Sequence, residues 1–298
     1  MNELLIECAG AAPARLGESP LWCEAEQALY YVDIAAHQVL RLAADGALRS
    51  WQLEAEPGCI ALAEQGGLLV ARRDGLWHLD TATGGSRQLG APPFDPAKQR
   101  FNDGKPDAAG RFWIGTIDDA RQPEAALYRW ADGGFQRMAE GITNSNGLAW
   151  SPDQGTMYWT DTKAHEIYAF DFDPATGAIA NRRRFARFPA RVAGEPLESY
   201  GGRPDGATVD AEGCLWVAMY EGARIVRLSP AGELLQAVRL PVRCPTMPAF
   251  GGPDLKTLYI TTARDGRPTD ELAREPFAGC VLKVQLPVCG FAPRPARG

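Results

Sequence analysis

Four short stretches of the chain carry side chains able to hold a cation or a polar ligand: Glu18, Asn102 with Asp103, Asn146 and Asp205. They are far apart in sequence, yet each stands where a short apolar run begins. Glu18, Asn146 and Asp205 all offer oxygen. Two carboxylates and one amide suit a hard or borderline divalent cation and leave positions open for water and a substrate. Open positions separate a catalytic metal from a structural one. Taken singly, each stretch also suits a plainer role. Pro204-Asp205-Gly206 and Asn102-Asp103-Gly104 resemble ordinary turns, and Glu18 in Gly17-Glu18-Ser19-Pro20 resembles a solvated loop carboxylate. Their recurrence at one place in a repeated unit favours a shared site. The three histidines, His37, His78 and His165, match no such position and read as structural or surface residues.

The unit that must position these residues is a set of short runs rich in β-branched and aromatic residues, bounded by Gly, Pro, Asp and Asn. These are strand and hairpin signals. The clearest copies contain Asn146-Gly147-Leu148-Ala149-Trp150 and Pro204-Asp205-Gly206-Ala207-Thr208-Val209, each followed by further strand-like runs. The unit can be placed about six times, starting near Ser19, Gly58, Asn102, Asn146, Asp205 and Thr246. A spacing of roughly 40–60 residues suits four-stranded propeller blades. The reading is an all-β, six-bladed propeller of four-stranded antiparallel blades, forming one domain over residues 1–298. The last unit offers three strands, ending in Cys280–Leu286. The run Glu3–Cys8 is otherwise unassigned, and pairing the two closes the ring and removes exposed edges. Only Asp270–Arg274 suggests a turn of helix. Trp22, Trp113, Trp150, Trp159 and Trp216 are expected to pack between blades. In a propeller the first strand of each blade lines the central channel, so the polar residues at those strand starts converge.

Composition narrows the classes of function. The 298 residues are 45% hydrophobic and 23% charged, with a formal net charge of −6. These values fit a globular chain large enough for a substantial core. The cluster Arg182-Arg183-Arg184 is too short for a nucleic-acid face. Seven scattered cysteines without a CxxC pair support neither a zinc ribbon nor a disulfide framework. No run approaches the roughly 20 apolar residues of a membrane span, and the first residues lack the features of a signal peptide. The expectation is a cytoplasmic monomer with no nucleic-acid or membrane partner.

The chain resembles the SMP-30/gluconolactonase/regucalcin-like family of six-bladed propellers. The resemblance runs from about Glu18 to Leu286. It rests on Gly17-Glu18-Ser19-Pro20-Leu21-Trp22, Tyr31-Val32-Asp33-Ile34, Arg100-Phe101-Asn102-Asp103-Gly104-Lys105 and Gly115-Thr116. It continues in Ser145-Asn146-Gly147-Leu148, Pro204-Asp205-Gly206, Phe250-Gly251-Gly252-Pro253-Asp254 and Thr261-Thr262-Ala263-Arg264-Asp265-Gly266. The resemblance implies hydrolysis of aldonolactones to aldonic acids. It implies one divalent metal ion on Glu18, Asn146 and Asp205: calcium first, with zinc, manganese, magnesium or iron(II) as alternatives. It implies contacts to the sugar lactone from Arg100 and Asn102. Some members carry a substrate-contacting glutamate after the Gly-Thr pair. Here that place falls on Ala120, with Asp119 one residue earlier as the candidate replacement. Asp205, a carboxylate at the metal, is the candidate general base for the attacking water. Two other readings stay open on the same scaffold: a metal-dependent esterase or phosphotriesterase, and a non-catalytic calcium-binding propeller.

Overall fold

The computed structural model describes residues 4–10 and 12–298. Six four-stranded antiparallel sheets follow one another as the blades of a propeller. The innermost strands are Gly17–Cys23, Pro57–Leu62, Gln99–Pro106, Ser145–Trp150, Arg203–Val209 and Pro245–Gly251, in blades 1 to 6. They match the six unit starts read from the sequence. Each is buried along nearly its whole length, because it faces both neighbouring blades and the channel. Outer strands such as Ala178–Arg187 are mostly exposed. The cluster Arg182-Arg183-Arg184 lies on that outer strand, where Arg182 stacks over Tyr168 at 3.9 Å.

The ring closes as expected. Ile6–Cys8 pairs antiparallel with Leu282–Gln285, with Ile6 opposite Val284 and Cys8 opposite Leu282. It is the outer strand of blade 6. Glu3, included in the expected strand, lies outside the described residues. A single helical turn, Thr269–Arg274, sits in blade 6 before its third strand. Trp22 of blade 1 stacks on Tyr259 of blade 6 at 5.6 Å, so an aromatic pair spans the closing junction. Trp113 of blade 3 lies edge-on to Trp150 of blade 4 at 6.2 Å. All seven cysteines are free.

The C-terminal segment crosses the face of the ring opposite the strand starts. Ala211 of blade 5 donates to Cys289 O, and Gly290 donates to Leu255 O in blade 6. Further along, Ala296 donates to Leu62 O in blade 2, and Arg297 donates to Gly110 O in blade 3. These attachments lie on opposite sides of the ring, so the segment spans its diameter. Phe291, Ala292, Pro293 and Arg294 thereby form a wall of the cavity at that end of the channel.

Buried aspartates fasten the blades internally. Asp210 accepts from the amides of Glu212 and Cys214, from Trp216 Nε1 at 2.9 Å and from Arg227 Nε at 2.8 Å. Asp107 holds Trp113 Nε1 and Arg111 in the same way in blade 3. Removing such an acid strands buried donors. Asp210→Ala is expected to destabilise the fold by about 3 kcal/mol, read as a lowered denaturant midpoint with an unchanged slope.

Candidate functional site

At the mouth where the inner strands begin lies a cavity of about 260 Å³. Glu18, Arg100, Asn102, Asn146 and Asp205 all line it. Five of the candidate residues therefore come together from blades 1, 3, 4 and 5. The local reason is a β-bulge. In all six inner strands the register with the second strand slips at the same level: Glu18/Leu21, Pro57/Cys59, Phe101/Gly104, Asn146/Ala149, Pro204/Ala207 and Pro245/Met247. A bulge bends its strand and re-aims a side chain. In blades 1 and 4 the residue after the site residue takes the strain. Gly147 has φ +60°, and a Cβ there would collide with Thr160. Ser19 stands at the same place in blade 1 with φ 51°. The Asn-Asp-Gly and Pro-Asp-Gly triplets are thus bulges inside strands, where their sequence alone suggests turns.

Other acids hold the strand starts in place. Asp33 accepts from the amides of Arg15 at 2.7 Å and Leu16 at 3.0 Å, just before Glu18. Asp161 accepts from Thr143 at 3.1 Å and Asn144 at 3.3 Å, just before Asn146.

The carboxylates in the cavity are bonded very differently from those structural ones. Glu18 is 8% exposed, and among the described residues its carboxylate accepts one hydrogen bond, from the adjacent Ser19 amide at 3.3 Å. Asp205 is 6% exposed, and its carboxylate accepts no hydrogen bond among the described residues. Asp103, buried behind them and outside the cavity lining, accepts from Leu148 N at 3.2 Å through Oδ2, while its Oδ1 is buried without a partner among the described residues. Burial raises the pKa of all three above the usual carboxylate range. The negative charges of Asp205 and Asp103 push Glu18 further up, and Asp103 does the same to Asp205. Arg100 is pushed down to about 10, by burial first and then by the positive charges of Arg121 and Arg73.

A chain of hydrogen bonds orients the amide. Arg100 Nη1 donates to Asn102 Oδ1 at 2.7 Å. Asn102 Nδ2 then donates to Asn146 Oδ1 at 2.8 Å, and Asn146 Nδ2 donates to Thr162 Oγ1 at 2.8 Å. The Asn146 oxygen is thereby fixed while keeping a second lone pair.

The donor set fits a divalent cation: two buried carboxylates short of donors, with an amide oxygen held by its neighbours. Among the described residues no group of three or more His, Cys, Asp and Glu side chains converges as a metal site; the set here is two carboxylates and an amide. Asp119 lies outside this group. Arg73 reaches between Glu56 at 2.9 Å and Asp119 at 2.9 Å, and this ion pair holds Asp119 away from the cavity. The sequence reading also passed over Arg121, Asn144, Lys163, Arg203 and Tyr220, which line the cavity. Arg121 and Lys163 follow the aspartates that end second strands, Asp118 and Asp161. Aligning the repeats on those aspartates brings both into view.

Fold and site together define a class: a closed six-bladed propeller with an oxygen-rich polar site at one mouth. Residues 16–264 match the family model described as the SMP-30/Gluconolactonase/LRE-like region, and the chain belongs to that family. It is 42% identical to 6-deoxy-6-sulfogluconolactonase of Pseudomonas putida, covering 98% of each chain. It is 36% identical to regucalcin of Gallus gallus, covering 100% of each. Among solved structures it resembles a calcium-binding protein, regucalcin, from Agrobacterium tumefaciens, with a TM-score of 0.92 and 26% identity. That match covers 99% of this chain and 98% of the other.

The raised carboxyl groups have a consequence for stability. Such a group binds its proton more tightly in the folded chain than in the unfolded one. Its contribution is complete below the ordinary carboxylate pKa of about 4. It is lost as pH rises through the folded value, about 8 for Asp205. Metal-free protein is expected to lose stability across that window, and Asp205→Asn to flatten the loss. Denaturant midpoints of both proteins at pH 5, 6.5 and 8 measure the difference, and parallel profiles would contradict it.

Proposed function

We propose that this chain is a sugar lactonase. It hydrolyses an aldonolactone to the aldonic acid, with one divalent cation held by Glu18, Asn146 and Asp205. The observation that carries this reading is the contrast between two kinds of buried acid. Asp33, Asp107, Asp161 and Asp210 are supplied with donors, while Glu18 and Asp205 share one cavity largely without them, with Asp103 buried close by. Buried charge left so costs several kcal/mol and persists where a ligand answers it. Membership of the gluconolactonase family supports the reaction, as does the name of the P. putida relative. The regucalcin structure, described as calcium-binding, supports calcium as the first metal to test.

When bound, the cation supplies Lewis-acid polarisation of the lactone carbonyl. The chain's own groups supply the rest. Asp205, whose carboxylate accepts no hydrogen bond among the described residues, takes the proton of the attacking water. Arg100 uses Nη1 for Phe101 O and Asn102 Oδ1, leaving Nε and Nη2 for ring hydroxyls. Asn102 Nδ2 is engaged by Asn144, Ser145 and Asn146. Its main part is therefore to position Asn146, with its own Oδ1 turned to Arg100 and the sugar. The cavity volume suits one monosaccharide lactone. We take the ring to act as a single domain over residues 1–298, as a cytoplasmic monomer.

Chelator-stripped protein should be inactive. Adding back single metals should restore acid release from a panel of aldonolactones, followed with a pH indicator, well above the spontaneous rate. Calcium binding without turnover of any lactone, ester or phosphotriester would favour the calcium-binding propeller instead. Asp205→Asn should lower kcat by about a hundredfold or more, measured at saturating metal so that weakened ligation is separated from lost base function.

A further inference from the structure

Four cations line the cavity: Arg100, Arg121, Lys163 and Arg203. Two are committed within the chain. Arg203 pairs with Glu221 at 3.1 Å and stacks over Tyr220 at 4.9 Å. Arg100 holds Phe101 O and Asn102 Oδ1. The side chains of Arg121 and Lys163 make neither a hydrogen bond nor an ion pair among the described residues. Both are exposed, on the loops after the second strands of blades 3 and 4. Those blades are adjacent, bridged there by Ile117 and Asn144.

The charges of the site do not cancel without something more. Glu18 and Asp205 are answered by a divalent cation. Asp103 faces Lys105, whose charge lowers its pKa, and Arg203 faces Glu221. Arg100, Arg121 and Lys163 remain as a basic wall on blades 3 and 4. This stands out in a chain with 31 Lys and Arg against 37 Asp and Glu. Arg121 and Arg100 line the same cavity, near enough for the charge of Arg121 to depress the pKa of Arg100. Isolated rim cations are usually just solvated. Two unpaired ones beside a third inside a ligand cavity are not isolated. The hydroxyls of a neutral sugar need no such charge, whereas a tetrahedral oxyanion is well served by an Arg with a Lys.

We propose that the lactone hydrolysed here carries a tetrahedral anionic group, a phosphate or a sulfonate, on the carbon remote from the lactone carbonyl, and that Arg121 and Lys163 bind that group. The inference rests on the lactonase reading above.

The test compares kcat/KM of the metal-loaded enzyme for gluconolactone, 6-phosphogluconolactone and 6-deoxy-6-sulfogluconolactone. It includes the variants Arg121→Gln, Lys163→Met and the double variant. An anionic lactone should be preferred at least tenfold, with the loss falling mainly on KM in the variants. The double variant should reduce the ratio of anionic to neutral kcat/KM at least tenfold, and 0.5 M salt should compress it in the wild type. The larger preference identifies phosphate or sulfonate. Parity in the wild type, or a preference that survives in the double variant, overturns the proposal. If no lactone is turned over, the lactonase reading fails, and calorimetry with gluconate and 6-phosphogluconate decides this one separately. A preference for 6-phosphogluconate that the double variant abolishes upholds the anion site; equal binding rejects it.

Discussion

A ring of blades is crowded at its centre, and the rest of the molecule depends on how the inner strands share that space. Each inner strand must face two neighbouring blades and the axis at once. All six slip register at the same level. The slip interrupts ladder pairing near the axis, and at that level blades 1, 3, 4 and 5 present Glu18, Asn102, Asn146 and Asp205 to the cavity. Backbone that would otherwise be wasted on a straight ladder becomes the frame of a binding site. Gly206, packed so closely on Met247 that a Cβ would overlap it, shows how tight the fit is. Widening that position would push blade 5 away from blade 6.

The frame then separates two uses of buried charge. Asp33 and Asp161 sit at the ends of second strands and bind the backbone leading into the inner strands. Their charge is consumed in geometry. Glu18 and Asp205 are delivered by that geometry into a cavity where little answers them. Arg100, Asn102 and Asn146 form the link between the two groups, a line of hydrogen bonds from the rim to the amide oxygen. The amide oxygen is therefore oriented before any ligand arrives, a part of the preorganisation that electrostatic catalysis needs.

Most of the architecture was legible in the sequence because it is written in repeats. The unit starts fell on the inner strands, and the unassigned apolar run near the N-terminus supplied the strand that closes blade 6. Glu18, Asn102, Asn146 and Asp205 were legible for the same reason: they occupy similar places, within a residue of the register slip in their blades. What the sequence hid was of another kind. Asn-Asp-Gly reads as a turn in isolation, and only the neighbouring strands make it a bulge. Asp119 was one residue from a plausible contact, but its direction depends on Arg73, which comes from a different blade. Arg121 and Lys163 lie on loops, where spacing relative to the repeat is loose. The C-terminal crossing carries no strand pattern in its sequence, since it is attached by a lone β-bridge at Ala296 and scattered backbone hydrogen bonds to blades far away in sequence.

That crossing has a bearing on traffic. With residues 291–294 laid over the far end of the channel, the ring is a blind well rather than a tube. Anything reaching the floor arrives past the rim and departs the same way. Arrival and departure cannot overlap, so each visit to the floor must finish before the next begins. The rim residues are met twice in every cycle, once by a cyclic ester and once by an open chain bearing a new carboxylate. Their hold on the second sets how soon the well is empty again.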